Sequence, residues 1–172
     1  MFAAGCSRIA CAVVLLSAAL GVSSASPAAA QSFTARVGIG PAVAEDAGGA
    51  ALLAFELHRS TLVFRAEGSG VLTGRSGDWE GSARVIGVAG GIGLAARPSA
   101  SAVRPYALAR VGAGLDPREA DEVISVGASA GVASRNGRLF AELRYDNWSQ
   151  RGVRHHELPR HVVAVVGGIA FP

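Results

Sequence analysis

The sequence has no lysine, and its only cysteines, Cys6 and Cys11, fall within the first thirty residues. Aromatic residues make up 6% of the 172 and charged residues 17%. Each scarcity excludes something. With no cysteine after residue 30, the rest of the chain has no disulfide framework and no thiolate metal site, so burial and hydrogen bonding must hold it. With no later apolar run of about eighteen residues, it has no helix able to cross a bilayer. The arginines stand singly, often near an acid, and never interleave with aromatics, which excludes a nucleic-acid footprint despite a pI of about 9.5. Of 16 basic residues only Arg8 lies in the first thirty, leaving 15 against 13 acidic residues, close to balance.

What is present begins with a leader. Met1 to Arg8 is short and carries one positive charge, Ile9 to Val22 is uncharged and apolar, and Ser23 to Ala30 is small residues ending Ala28-Ala29-Ala30. This layout predicts a cleaved secretory signal peptide over residues 1–30 and one domain over 31–172. A chain that is half hydrophobic, exported and without a spanning helix is a soluble β-rich domain or a β-barrel in an outer membrane.

Eight strand-like runs follow, at about Phe33–Val43, Ala50–His58, Thr61–Leu72, Gly81–Ala96, Val103–Gly114, Val123–Ser134, Arg138–Asn147 and His161–Phe171. None has the spacing and caps of an amphipathic helix, and 23 glycines weaken helix further. Asn136-Gly137 is a hairpin signal. Short connections such as His58-Arg59-Ser60-Thr61 alternate with longer, more charged ones such as Asn147 to Pro159, the asymmetry of outer-membrane barrels.

Successive strand residues point to opposite sides, so each run can be divided into two faces. One face is apolar: Phe33, Val37 and Ile39, then Leu53 and Phe55, then Leu139, Leu143 and Tyr145. The other carries Arg36, Arg65, Arg84, Arg110 and Arg144 opposite Glu56, Glu67, Glu142 and Asp146. Run four, Val85 to Ala96, loses its alternation in Gly, Val and Ala. The fold expected is an all-β, eight-stranded, antiparallel up-and-down transmembrane barrel with the charged face inward. An eight-stranded interior is just wide enough for side chains to fill, and charges there must pair. Arg144 is the charge singled out. It is expected to be held by Glu142 and Asp146, about 7 Å away on its own strand, and by Glu56 or Glu67 from other strands. Phe33, Phe64, Trp79, Tyr145, Trp148 and Phe171 lie near strand ends, where an aromatic girdle would be.

Phe140-Ala141-Glu142-Leu143-Arg144-Tyr145 and the closing Gly168-Ile169-Ala170-Phe171 carry a family likeness. With them the sequence resembles the small OmpA/OmpX-like outer-membrane barrels and the broad outer membrane protein β-barrel domain family. The resemblance implies an outer-membrane location in a Gram-negative cell envelope, contact with membrane lipid and lipopolysaccharide, and no single activity. It also implies that the last strand, through Gly168, Ile169 and Phe171, is read by the barrel-assembly machinery, although here Pro172 follows the aromatic.

The function expected is a structural or surface-interaction role behind a filled interior, not an enzyme, without metal or cofactor, and monomeric. A soluble exported barrel carrying a small apolar ligand is the alternative; it would turn the apolar face inward. A further alternative is a lipid A deacylase-type hydrolase with Ser149, His155, His156 and Glu157 in the last loop, although the His-x-Ser-Asn motif expected of that group is absent. His155-His156 is a poor metal pair, because adjacent side chains on an extended segment point apart. The acidic loop Asp116, Glu119, Asp121 and Glu122 lacks the order of a calcium loop. Gly87 to Gly93 has no following helix to present to a phosphate, and reads as strand.

Overall fold

The computed structural model describes residues 31–44, 46–74, 83–96, 101–116, 121–151 and 161–171. The leader expected over 1–30 lies outside them, as do Trp79, Glu119, His155, His156, Glu157 and Pro172. Eight strands run in chain order: β1 Gln31–Val43, β2 Ala47–Arg59, β3 Leu62–Thr73, β4 Ala83–Ala95, β5 Val103–Asp116, β6 Asp121–Ser134, β7 Leu139–Arg151 and β8 His161–Phe171. Each pairs antiparallel with its neighbour, and β8 closes on β1 through pairs from Ala35↔Phe171 to Val43↔Val163. The barrel is closed, so among the described strands no unpaired sheet edge remains.

The side chains divide by parity as a closed sheet requires. Phe33, Ile39, Ile86 and Leu139 are 70%, 72%, 65% and 62% exposed on the outside, whereas Arg36, Glu56, Arg65, Glu142 and Arg144 are buried within. The apolar face is therefore the exterior, which is the opposite of what a soluble carrier with an apolar lumen needs. Phe33 to Val43 covers about 33 Å of strand at about 3.3 Å per residue. A tilt of roughly 40° reduces this to about 25 Å of height, the apolar band of an outer-membrane barrel.

The two ends differ. One holds the short connections, Ser60-Thr61 and residues 135–138, beside the start of β1 and the end of β8. At the Asn136-Gly137 turn Gly137 takes φ +72°, its amide donates to the Ser134 carbonyl at 2.8 Å, and Asn136 Oδ1 accepts from the Arg138 amide. Ser60 meets the same demand without being glycine, at φ +56°. In outer-membrane barrels the short turns face the periplasm and the longer connections the exterior.

A partial aromatic belt lies outside the short-turn end. Phe33, Leu57, Phe64 and Ile92 follow one another across β1 to β4, and Phe55, Ala35 and Phe171 form the next row. Trp148 departs from the girdle expected for it. Its parity on β7 is that of Glu142 and Arg144, and it is buried in the lumen.

Candidate functional site

The middle of the lumen is a charge network built from a single lateral row. Glu56 on β2 is directly opposite Arg65 on β3, which is opposite Gly91, then Arg110, Gly127 and Asp146 on β4 to β7. The glycines between long polar side chains open the row. A Cβ on Gly127 would strike the Asp146 carboxylate, and one on Gly91 would lie 3.2 Å from Arg110 Cγ. A second row repeats the device: Tyr106, Gly131 and Glu142 are consecutive partners, and a Cβ on Gly131 would lie 2.6 Å from the Tyr106 hydroxyl.

Arg65 is the hub. Its Nε and Nη2 donate to Glu56 Oε1 at 2.8 and 2.6 Å, and Nη1 donates to Glu142 at 2.8 Å and more weakly to Glu67 at 3.5 Å. Arg110 donates to Glu67 at 2.8 Å and to both oxygens of Asp146 at 3.0 and 3.1 Å. Arg144 donates to Glu67 at 2.5 Å, and Tyr106 to Glu142 at 2.8 Å. Arg36 pairs with Glu56 at 3.0 Å and places its guanidinium over the Tyr106 and Phe140 rings, 4.5 and 5.0 Å from their centroids. Four arginines thus meet four carboxylates, which answers the cost of burying each. The planar guanidinium fork lets Arg65 serve three acids at once, which the point charge of lysine could not do as well.

Two of the expectations for this region need correction. Arg144 is not held by its own-strand neighbours: Glu142 goes to Arg65 and Tyr106, Asp146 goes to Arg110, and Arg144 reaches across the lumen to Glu67. Flanking residues at i±2 share a face but diverge along a twisted strand, while facing walls converge in a barrel this narrow. Arg84 is not an interior charge. It is opposite Leu72, which is 52% exposed, and shares the parity of the outward Ile86. The Gly, Val and Ala of β4 carry no polarity by which to set parity, which is why the sequence misplaced it.

Above the network, toward the long connections, Val85, Val123, Trp148 and Val162 pack into an apolar cap. A void of about 40 Å³ between cap and network abuts Arg110, Arg144 and Asp146, the scale of ordered water. Below the network, at the short-turn end, a larger cavity of about 200 Å³ opens beside Arg36, His58 and Tyr106. Tyr106 and His58 share the parity of Arg110 and Glu56 and belong to the lumen, as the alternation of β5 and β2 implies. Asp116, read as part of an acidic loop, is instead the buried last residue of β5, with the same inward parity.

Among the described residues the outer wall carries a polar cluster at the long-connection end of β7 and β8. Asn147 on β7 is opposite His161 on β8, and both are exposed on the outward face with Tyr145. The Tyr145 hydroxyl lies 2.8 Å from His161 Nδ1, the rings stack with centroids 6.0 Å apart, and Asn147 Nδ2 is 3.4 Å from the same nitrogen. Ser149, two residues further and on the same face, is exposed. Of the hydrolase candidates only Ser149 is among the described residues. The histidine that the fold brings toward it is His161, a residue read as the start of a strand. Among the described residues no group of three or more His, Cys, Asp or Glu is placed to hold a metal ion.

No protein-family model matches the chain, and no curated protein matches it. Among solved structures, the crystal structure of the outer membrane enzyme PagL superposes with a TM-score of 0.54, covering 81% of this chain and 99% of that one at 13% identity. The fold is that of an outer-membrane barrel. At that identity the likeness extends to the fold alone, so the narrower OmpA/OmpX-like grouping rests only on the short motifs of β7 and β8.

Proposed function

We propose that the protein is an outer-membrane barrel whose lumen is a static plug, serving a structural or surface-interaction role without conducting. The observation that carries this is the ion-pair network across the middle of the lumen, from Arg36 through Glu56, Arg65 and Glu67 to Arg110 and Asp146, beneath the apolar cap. An ion entering would have to break buried pairs and then cross a layer that offers it no partner. In planar bilayers the purified protein should show no stepwise conductance; regular openings would overturn the reading. Sedimentation of the cell envelope should place the protein with the outer membrane, and recovery in the soluble fraction would count against it. The same reading has a cleaved leader, a monomer, contact with lipopolysaccharide outside, and Gly168, Ile169 and Phe171 read by the assembly machinery. Ile169 and Phe171 project outward on the closing strand, where such a reader would find them. Phe171→Ser should lower the fraction of folded barrel in cells; an unchanged fraction would remove that role.

A second reading is favoured by one observation, the outward cluster of Tyr145, Asn147, Ser149 and His161. Ser149 is diagonal to His161 across the β7–β8 ladder, about 7 Å away by strand geometry. If His161 Nδ1–H donates to Tyr145 Oη, Nε2 is left as a base, the arrangement an ester hydrolase needs. Ser149 Oγ would attack an acyl ester of an outer-leaflet lipid while His161 takes its proton and returns it to the departing lipid alcohol as the acyl C–O bond breaks; a water activated by His161 would then hydrolyse the acyl-serine to free fatty acid and Ser149. The two are not hydrogen-bonded to each other in the described structure, which is why this reading comes second. Release of fatty acid from lipopolysaccharide, abolished by both Ser149→Ala and His161→Ala, would establish it; no release from the wild type would end it.

A further inference from the structure

The charges of the connections are divided unequally between the two ends of the barrel. Taken with the strand residues that bound them, the three short connections, 59–62, 95–103 and 134–139, carry Arg59, Arg97, Arg135 and Arg138 and no acidic residue. The four longer ones hold two acidic residues in 43–47, two in 73–83, three in 116–121 and one in 151–161, eight in all against five arginines. The buried network does not balance the short-turn end. Glu56 and Glu142, its carboxylates nearest that end, are each 1% exposed and held by Arg36, Arg65 and Tyr106.

Register sets these arginines at the edge of the lipid-facing wall. Phe55, Leu57 and Arg59 take successive outward positions on β2, and Leu57 is opposite Phe33 in the aromatic belt. Arg59 lies two residues past Leu57, about 5 Å nearer the short-turn face on a strand tilted by roughly 40°. A headgroup layer about 5–8 Å deep flanks the hydrocarbon on each side. Arg138 precedes Leu139, which is 62% exposed on the wall, and its carbonyl accepts from the Ala170 amide, next to Phe171. Arg135 is exposed in the β6–β7 turn, where its amide donates to the Ala102 carbonyl. An arginine so placed rests its stem on apolar surface and turns its guanidinium to the headgroups. Its planar fork can bind two phosphate oxygens at once. An acidic soluble protein would meet the same charge, but the position against the apolar belt favours lipid.

We propose that the short-turn rim, through Arg59, Arg135 and Arg138, is a collar that binds the phosphate headgroups of anionic phospholipids in the leaflet it meets. This rests on the reading of the barrel as standing in an outer membrane, and goes beyond it by naming the lipid and the end that selects it.

The test uses the mature protein in phosphatidylcholine vesicles at low salt, with a trace of spin-labelled phosphatidylglycerol or spin-labelled phosphatidylcholine. Electron spin resonance gives the fraction of each label held motionally restricted against the protein. Phosphatidylglycerol should be preferred about twofold or more, and the preference should vanish in about 1 M sodium chloride, where charges are screened. Combining Arg59→Gln, Arg135→Gln and Arg138→Gln should abolish it. Combining Arg151→Gln, Arg154→Gln and Arg160→Gln removes the same charge from the last long connection and should leave it intact. Each variant is first checked for its heat-modifiable gel band. If the collar variant does not fold, Arg135→Gln alone decides, and should lower the preference. Restricted lipid with no preference in the wild type overturns this proposal alone and leaves the collar to an acidic protein. An undiminished preference in the folded collar variant, or in Arg135→Gln where that variant does not fold, also overturns it. Equal loss in both triple variants does so too, since net charge would then suffice. No restricted lipid at all overturns the membrane reading along with it.

Discussion

The outer wall and the lumen are two sides of the same eight strands, and they are specified with very different stringency. Outside, Phe33, Ile39, Ile86, Val126 and Leu139 need only be apolar and of the right parity, since lipid accepts any greasy shape. Inside, Arg65 needs Glu56, Glu142 and Glu67 at hydrogen-bond distance, and glycines at 91, 127 and 131 to make room for its neighbours. The lesson is where a substitution will be felt. Truncating one lumen charge strands others in a dry interior, whereas an apolar swap outside strands nothing.

The largest effect should come from Arg65→Ala, which leaves three carboxylates short of a buried partner. A loss of up to about 5 kcal/mol is expected, read as a lower urea midpoint of the folded gel band. Arg144→Ala should cost less, because Glu67 keeps Arg110 and Arg65. Replacing Arg65 by Met together with Glu142→Gln should restore part of the loss, since one buried charge of each sign is removed while Glu56 keeps Arg36. Equal midpoints for wild type and Arg65→Ala would break the contrast between the two walls.

Trp148→Ala comes next. It removes the largest member of the apolar cap, and about 3–4 kcal/mol should be lost with the ion pairs intact. A midpoint within error of the wild type would mean that the cap is not packed. On the outer wall, Val126→Arg places a charge midway along β6 against lipid and should cost about 2–3 kcal/mol. Val126→Leu should be nearly silent in the same assay. If the arginine is also silent, that face does not meet hydrocarbon. The smallest effect belongs to neither wall: Ser60→Gly relieves a left-handed backbone in the β2–β3 turn and should raise stability by about 0.5 kcal/mol. A decrease would show that the hydroxyl matters more than the backbone.

Much of this was legible along the chain, for reasons that differ from residue to residue. Leu139 to Asp146 alternates so regularly that its two faces could be assigned without a partner strand, and both Glu142 and Arg144 are buried as that assignment requires. Arg84 was misplaced because the strand that follows it has no polar residue to report its parity. Trp148 was read as interfacial by residue type, but its parity turned it inward. His161 was taken as the edge of a strand, and only the β7–β8 register set it against Asn147 and Tyr145.

By itself the sequence determined the number of strands, their approximate ends, and that one face would be apolar and the other charged. Those are local consequences of a backbone that turns alternate side chains to opposite sides. The partners were decided only by closure of the barrel. Arg65 meets Glu142, and Arg144 meets Glu67, each across 77 residues of chain, because the stagger of eight tilted strands sets which rows face one another over a narrow lumen. No spacing within a single strand contains that information, since stagger is a property of the whole ring of hydrogen bonds.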